Sequence, residues 1–342
     1  MAIDIASVGN HGTRLIDVRS SASVYDNMNP ASALAYGASV LGAGFTNGVP
    51  DATAKAVGFT TPPCPGFTGT VAQSLRPWPQ YQQILWRYFP NGNSHYHALQ
   101  VSLDRRMGHG LELRVAHTYS GLINNGSETG LGSGGPPIQN ASDMSDMTSV
   151  SSDDVPKILC IGCVYQLPFG KGRVFGGNTS GVVDKLIGNW SLSGIQAYSK
   201  GRPLAITTAN DLGSYLFNYT KFPNKAGTGL SGTFSDPAST SYLNQGGWSN
   251  PGPLAFGNAP REDSAVRGFN VCNEDLSLYK DTYFGERRYV RFKTDAGNIF
   301  NRVYFCNPDT FWLPSNGNGN FGQTHSQCNI PRCINMSLET FF

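Results

Sequence analysis

The last nine residues, Ile334 to Phe342, repeat with a period of two. Ile334, Met336, Leu338 and Phe342 fall on one side of an extended chain, and Asn335, Ser337 and Glu339 on the other. Side chains along a strand point alternately to opposite faces, so this is an amphipathic strand that stops on an aromatic residue. A strand of this kind has two uses. Its apolar side covers a core in a soluble sheet, or it meets lipid in an outer-membrane barrel, where a terminal Phe sits in the aromatic girdle.

Composition bears on the choice. Only 14% of the 342 residues are charged, against about 25% in a typical soluble domain. With 41 Gly, 21 Pro, 15 Tyr and 19 Phe, the chain suits many short strands and long polar loops better than helical layers. A formal net charge of +2 without a clustered basic face argues against a nucleic-acid partner. No apolar run of about 18 residues occurs, which removes a transmembrane helix but leaves a barrel open, because barrel strands alternate. Met1 to Val8 carries no basic segment followed by an apolar stretch, so a signal peptide is not expected there.

The period of two recurs. Leu99, Val101 and Leu103 oppose Ala98, Gln100, Ser102 and Asp104; then, past Met107-Gly-His-Gly110, Leu111, Leu113, Val115 and Tyr119 oppose Glu112, Arg114, Thr118 and Ser120. This reads as a hairpin. Lys157 to Leu167, Trp190 to Tyr198, Arg202 to Thr208, Glu274 to Tyr283 and Tyr289 to Phe300 are further strand candidates. Short turns are expected near 107, 169 and 285. The stretches from about 9 to 79, 122 to 154, 209 to 255 and 306 to 329 read as long loops rich in Gly, Asn, Ser and Pro. Short connections on one side and long ones on the other mark an outer-membrane barrel. The expectation is all-β: an antiparallel transmembrane barrel portion of roughly nine or ten strands.

Candidate chemistry is sparse. Seven cysteines, an odd number, cannot all pair internally. Cys160-Ile-Gly-Cys163 resembles half a zinc site, but a spacing of three within a strand sends the thiols to opposite faces. His95 and His97 share a face with His117 nearby; interfacial residues explain them better than a metal site. Asp143, Asp146, Asp153 and Asp154 lack the spacing of a calcium loop. Gly130 to Gly135 lacks the strand-then-helix setting of a phosphate cradle. No Gly-x-Ser-x-Gly or His-Glu-x-x-His occurs, so no enzyme, catalytic residue, cofactor or metal is expected. Trp78, Tyr81, Trp86, Tyr88 and Phe89 form an aromatic cluster that fits an interfacial girdle better than a sugar-stacking platform.

Several segments together resemble the Oar-like TonB-dependent receptors: Asn93 to Arg106, Tyr165-Gln-Leu-Pro-Phe-Gly-Lys-Gly172, Asn189 to Gln196 with Gly201-Arg-Pro203, Phe256-Gly-Asn-Ala-Pro-Arg261, Asn273 to Lys280, Arg291 to Arg302, and the terminal strand, with Val8 to Thr13 near the start. They occur in the family's order and span nearly the whole chain. Gly297 and Thr340 depart from it, standing where the resemblance implies an aromatic and an aliphatic residue. The resemblance implies residues 1–342 as the C-terminal part of a 22-stranded barrel, with plug and TonB-contacting segment absent. It also implies outer-membrane lipid as a partner, ligand uptake as the function, and reading of Ile334, Met336, Leu338 and Phe342 by the barrel-assembly machinery. The TonB system would act only through the missing N-terminal part, and the ligand is unknown. The alternative is a soluble or surface-attached β protein binding glycans or proteins through its loops, or a gene fragment without function. The two differ in one observable: a barrel exposes an apolar belt about 25 Å tall, and a sandwich hides its apolar faces.

Overall fold

The computed structural model describes residues 1–17, 27–82, 84, 89–125, 139–140, 143–217, 220–285, 288–314 and 319–342. Eight long strands make one antiparallel meander in chain order: β1 (Ala2–Asp17), β2 (Phe89–Gly108), β3 (Leu111–Asn124), β4 (Lys157–Gln166), β5 (Trp190–Ser199), β6 (Val271–Tyr283), β7 (Tyr289–Gly297) and β8 (Cys333–Phe341). A two-residue strand, Ser149–Val150, adds to the loop end of β3, giving nine strands. Among the described pairings β1 bonds only to β2 and β8 only to β7.

Each strand has at least nine residues, enough to cross a bilayer when tilted. The tilt is written in the register. One row of partners runs Arg105, Leu113, Cys163, Gly194, Leu276, Ala296, Ile334. It starts near the turn end of β2 and finishes near the loop end of β8, the stagger that tilted barrel strands require. Both termini lie at the turn end, as follows from an even number of long strands.

The two faces have different chemistry. One carries Ile5, Val101, Val115, Leu159, Leu278 and Met336, with Leu103, Ile161 and Leu192 beside them and Thr294 between Leu278 and Met336. Met336 and Leu338 are each 71% exposed, and Ile3, Ile5, Leu99 and Phe292 are exposed too. His117 and Gln196 interrupt this face; Glu274 and Lys280 stand at its two ends. Among the described buried apolar residues only Ala98 and Ala296 belong to the eight strands. The packed-sandwich alternative fails on that observation, because the apolar face covers no core among the described residues.

The core lies in the loops instead. Met147, Ile206, Phe222, Trp248, Val266 and Trp312 form one buried cluster drawn from three loops. Val40, Phe45, Phe67 and Val71 form another within the first loop. Leu212 and Leu216 pack with Ala33 and join the first loop to the third. The four long connections therefore fold into a crown with its own interior.

Four expectations need correction. Residues 9–17 belong to β1, not to a loop, since Gly9, Gly12 and His11 pair in register although they carry no apolar alternation. Arg202 to Thr208 is no strand of the main sheet; Pro203–Leu204 and Thr207–Thr208 make separate two-stranded pairings in the crown. The tight turn expected near 169 is longer: Gly170 and Gly172 bond to Phe175 and Gly177, and a helix, Gly181–Ile187, follows before β5. The last hairpin strand stops at Gly297, not Phe300, because Asn298 turns with positive φ and its amide binds the Asp275 carboxylate.

Candidate functional site

The second face of the sheet is polar and concave. Asp4, Asp104, Glu112, Arg114, Ser193 and Asp275, from β1, β2, β3, β5 and β6, line one cleft of about 1010 Å³. So many neighbouring strands reach a common space only if the sheet curls with this face inside. Arg114 pairs with Asp104 across β2 and β3 at 2.6 Å. Arg291 binds both oxygens of Asp281 at 2.7 and 2.9 Å and lies over the rings of Tyr279, Tyr289 and Phe341. Lys293 pairs with Asp295 at 2.8 Å, and Asp295 also accepts from Ser277. These pairs follow from the period of two: the residues between lipid-facing ones must face inward, so opposite charges meet across strands, as at Arg114 and at Arg291, or two positions along one strand, as at Lys293 and Asp295. Ile158 and Ile195 are exposed apolar exceptions on this wall.

Above the wall, arginines tie the crown loops together. The Arg261 side chain is fully buried and donates to the Met147 carbonyl at 3.0 Å and to Asn124 at the end of β3. Arg267 pairs with Asp154 at 2.6 Å and donates to the Gly201 carbonyl. The Gln139 side chain accepts from Phe222 and donates to Gly257, bridging the second loop to the third. In the fourth loop a disulfide joins Cys306 to Cys328. Burial pushes the Tyr242 hydroxyl to a higher pKa while its proton is held by the Arg267 carbonyl at 2.7 Å.

The sequence-predicted residues divide. Ile334, Met336 and Leu338 lie on the exposed apolar face, and Phe342 follows the strand end, exposed as well. Trp78 and Tyr81 sit in the first loop around Asn27, within the crown. Phe89 begins β2, paired with Asp17; Trp86 and Tyr88 lie outside the described residues. His95 and His97 share the outward face, and His11 stacks on His95 at 4.1 Å, but His117 pairs with Val101, four residues along the strand. Among the described residues no group of His, Cys, Asp or Glu could hold a metal. Asp143, Asp153 and Asp154 are taken by Ser145, Arg202 and Arg267. The Ser145 bonds hold the Asp143 carboxyl below its usual range. Gly130 to Gly135 lies outside the described residues. Cys160 and Cys163 face opposite sides of β4, as their spacing demands.

Sequence reasoning missed the aromatics that do flank the apolar band. Tyr165, Trp190 and Phe292 lie toward the turn end, Tyr119 and Tyr198 toward the loop end. The signal was their parity with the apolar residues of each strand.

A sheet with an exposed apolar face, a charged concave face, short turns at one end and a folded crown at the other defines an outer-membrane β-barrel protein. The chain belongs to the family described as outer membrane beta barrel domain, whose model matches residues 1–335. No curated protein and no solved structure matches it.

Proposed function

We propose that the chain is the ligand-capturing and conducting part of a TonB-dependent, Oar-like receptor in the outer membrane. The observation that supports this most is the pairing of a folded crown with a charged inner wall beneath it. A pore that only admitted small solutes would need no crown with a hydrophobic interior; a receptor needs a preformed surface that holds shape while it binds. The width also favours a larger barrel. Eight strands closed on themselves leave an interior just filled by side chains, whereas among the described pairings β1 and β8 each have one neighbour. In lipid their other edges must be paired, and further strands of the same barrel would pair them.

The test is uptake. Culture medium depleted by cells with and without the gene identifies the ligand, and an uncoupler then collapses the inner-membrane gradient. Uptake should stop both on loss of the gene and on uncoupling. Uptake that depends on the gene yet continues after uncoupling would leave a passive barrel and remove the energised receptor.

A further inference from the structure

At the turn end, the connection between β4 and β5 exposes an apolar patch that neither the barrel nor the crown uses. In the helix Gly181–Ile187, Val182 is 73% exposed and Leu186 64%, with Val183 exposed beside them. Helical spacing puts these three within one arc and Asp184 opposite. Val174, 81% exposed, Phe175 and Phe284 extend the patch.

The patch is held rigidly. Asp184 accepts the Lys171 amide at 2.6 Å, turning the one acid of the helix back into its own connection. Ile187 packs on Gly176, where an added Cβ would come within 2.9 Å of it. The Trp190 indole donates to the Leu186 carbonyl at 3.1 Å, and Lys280 donates to the Gly188 carbonyl at 2.6 Å. Trp190 and Lys280 are cross-strand partners on the outward, apolar face of the sheet. The helix is thereby joined to the lower margin of the lipid belt.

We propose that this connection is an interfacial anchor that inserts into the periplasmic phospholipid leaflet. Contiguous exposed apolar surface of this kind marks an interaction site, and its continuity with the belt makes lipid the occupant. Charge agrees: Lys171, Arg173 and Lys185 are exposed around the patch, and Lys185 lies over the Phe284 ring at 5.2 Å. Apolar side chains below and cations at headgroup level are the arrangement of a helix lying in a bilayer surface.

The experiment places a photoreactive benzophenone amino acid at Val182, in the chain expressed in an outer membrane, with Met336 as the belt reference. Irradiation and mass spectrometry should give phospholipid adducts at both positions, and Leu186→Glu should reduce the adduct at 182 to background while leaving that at 336. Lipid adducts at 336 with none at 182 would overturn the anchor. So would an adduct at 182 to a periplasmic protein, which would make the patch a docking site.

Discussion

The guanidinium of Arg261 donates to the carbonyl of Met147 at 3.0 Å in the interior of the crown. The same side chain reaches Asn124 and the Val150 carbonyl, so one residue joins the end of β3, the second loop and the third. Lysine has no planar fork to meet several carbonyls at once. Arg261→Lys should therefore strand buried acceptors and loosen the crown by about 3 kcal/mol. Hydrogen exchange would show faster opening across 200–270 with the strands unchanged; equal protection in both proteins would refute the clamp.

The outward face makes a second test. Met336→Arg places a charge in the lipid belt, at a cost of about 2–4 kcal/mol near mid-bilayer. Ser337→Arg, one residue on, turns into the lumen beside Lys293, its cross-strand partner, and should cost less. Urea unfolding in vesicles compares them, and equal destabilisation would contradict the assignment of faces.

How much of this was readable follows from what each segment buries. Strands β2 to β8 alternate apolar with polar residues because one face meets lipid and the other water, and that pattern survives in the sequence. β1 loses it after Ile5: Ser7 takes an outward position and Val8 an inward one, and Gly9 and Gly12 bring no side chain to the pairing. The crown was unreadable for a different reason. Its interior gathers single residues, such as Met147, Phe222 and Trp312, from loops far apart in sequence, with no local period to betray them. Arg261 stood out in the sequence only as the end of one segment of the family resemblance; its burial against two other segments depends on the folded loops.

The disulfide gives a third prediction. Cys306 and Cys328 are 22 residues apart, and a closure of that length restrains the unfolded chain by about 3 kcal/mol. Reduction, or Cys306→Ser, should release the fourth loop to protease while the band of the folded barrel on an unheated gel stays put. Protease resistance after reduction would show that the crown's interior holds the loop without it.

A pH effect belongs to Asp51. Its carboxylate accepts from the Ala54 amide at 2.8 Å and the Gly44 amide at 3.0 Å, and these bonds lower its pKa. A depressed folded-state pKa contributes stability above the unfolded carboxylate range, lost as pH falls through the folded value. Exchange of the Gly44 and Ala54 amides should thus accelerate below about pH 4, after correction for the intrinsic rate. Asp51→Asn should remove that pH dependence; if it persists, another group governs the lobe.

The chain's end separates assembly from stability. Phe341 turns inward and stacks on Tyr289 at 4.4 Å, with Arg291 over both rings. Phe342 is 94% exposed. A residue that touches so little of the folded sheet adds little to it, so deleting Phe342 should leave unfolding in vesicles nearly unchanged. Phe341→Ala should cost about 1 kcal/mol for the lost stack, beyond the area it uncovers. If the terminal strand is read during insertion, the order reverses in cells: loss of Phe342 lowers the amount reaching the outer membrane more than Phe341→Ala does. Normal insertion without Phe342 would remove its role in assembly and leave it a residue at the lipid boundary.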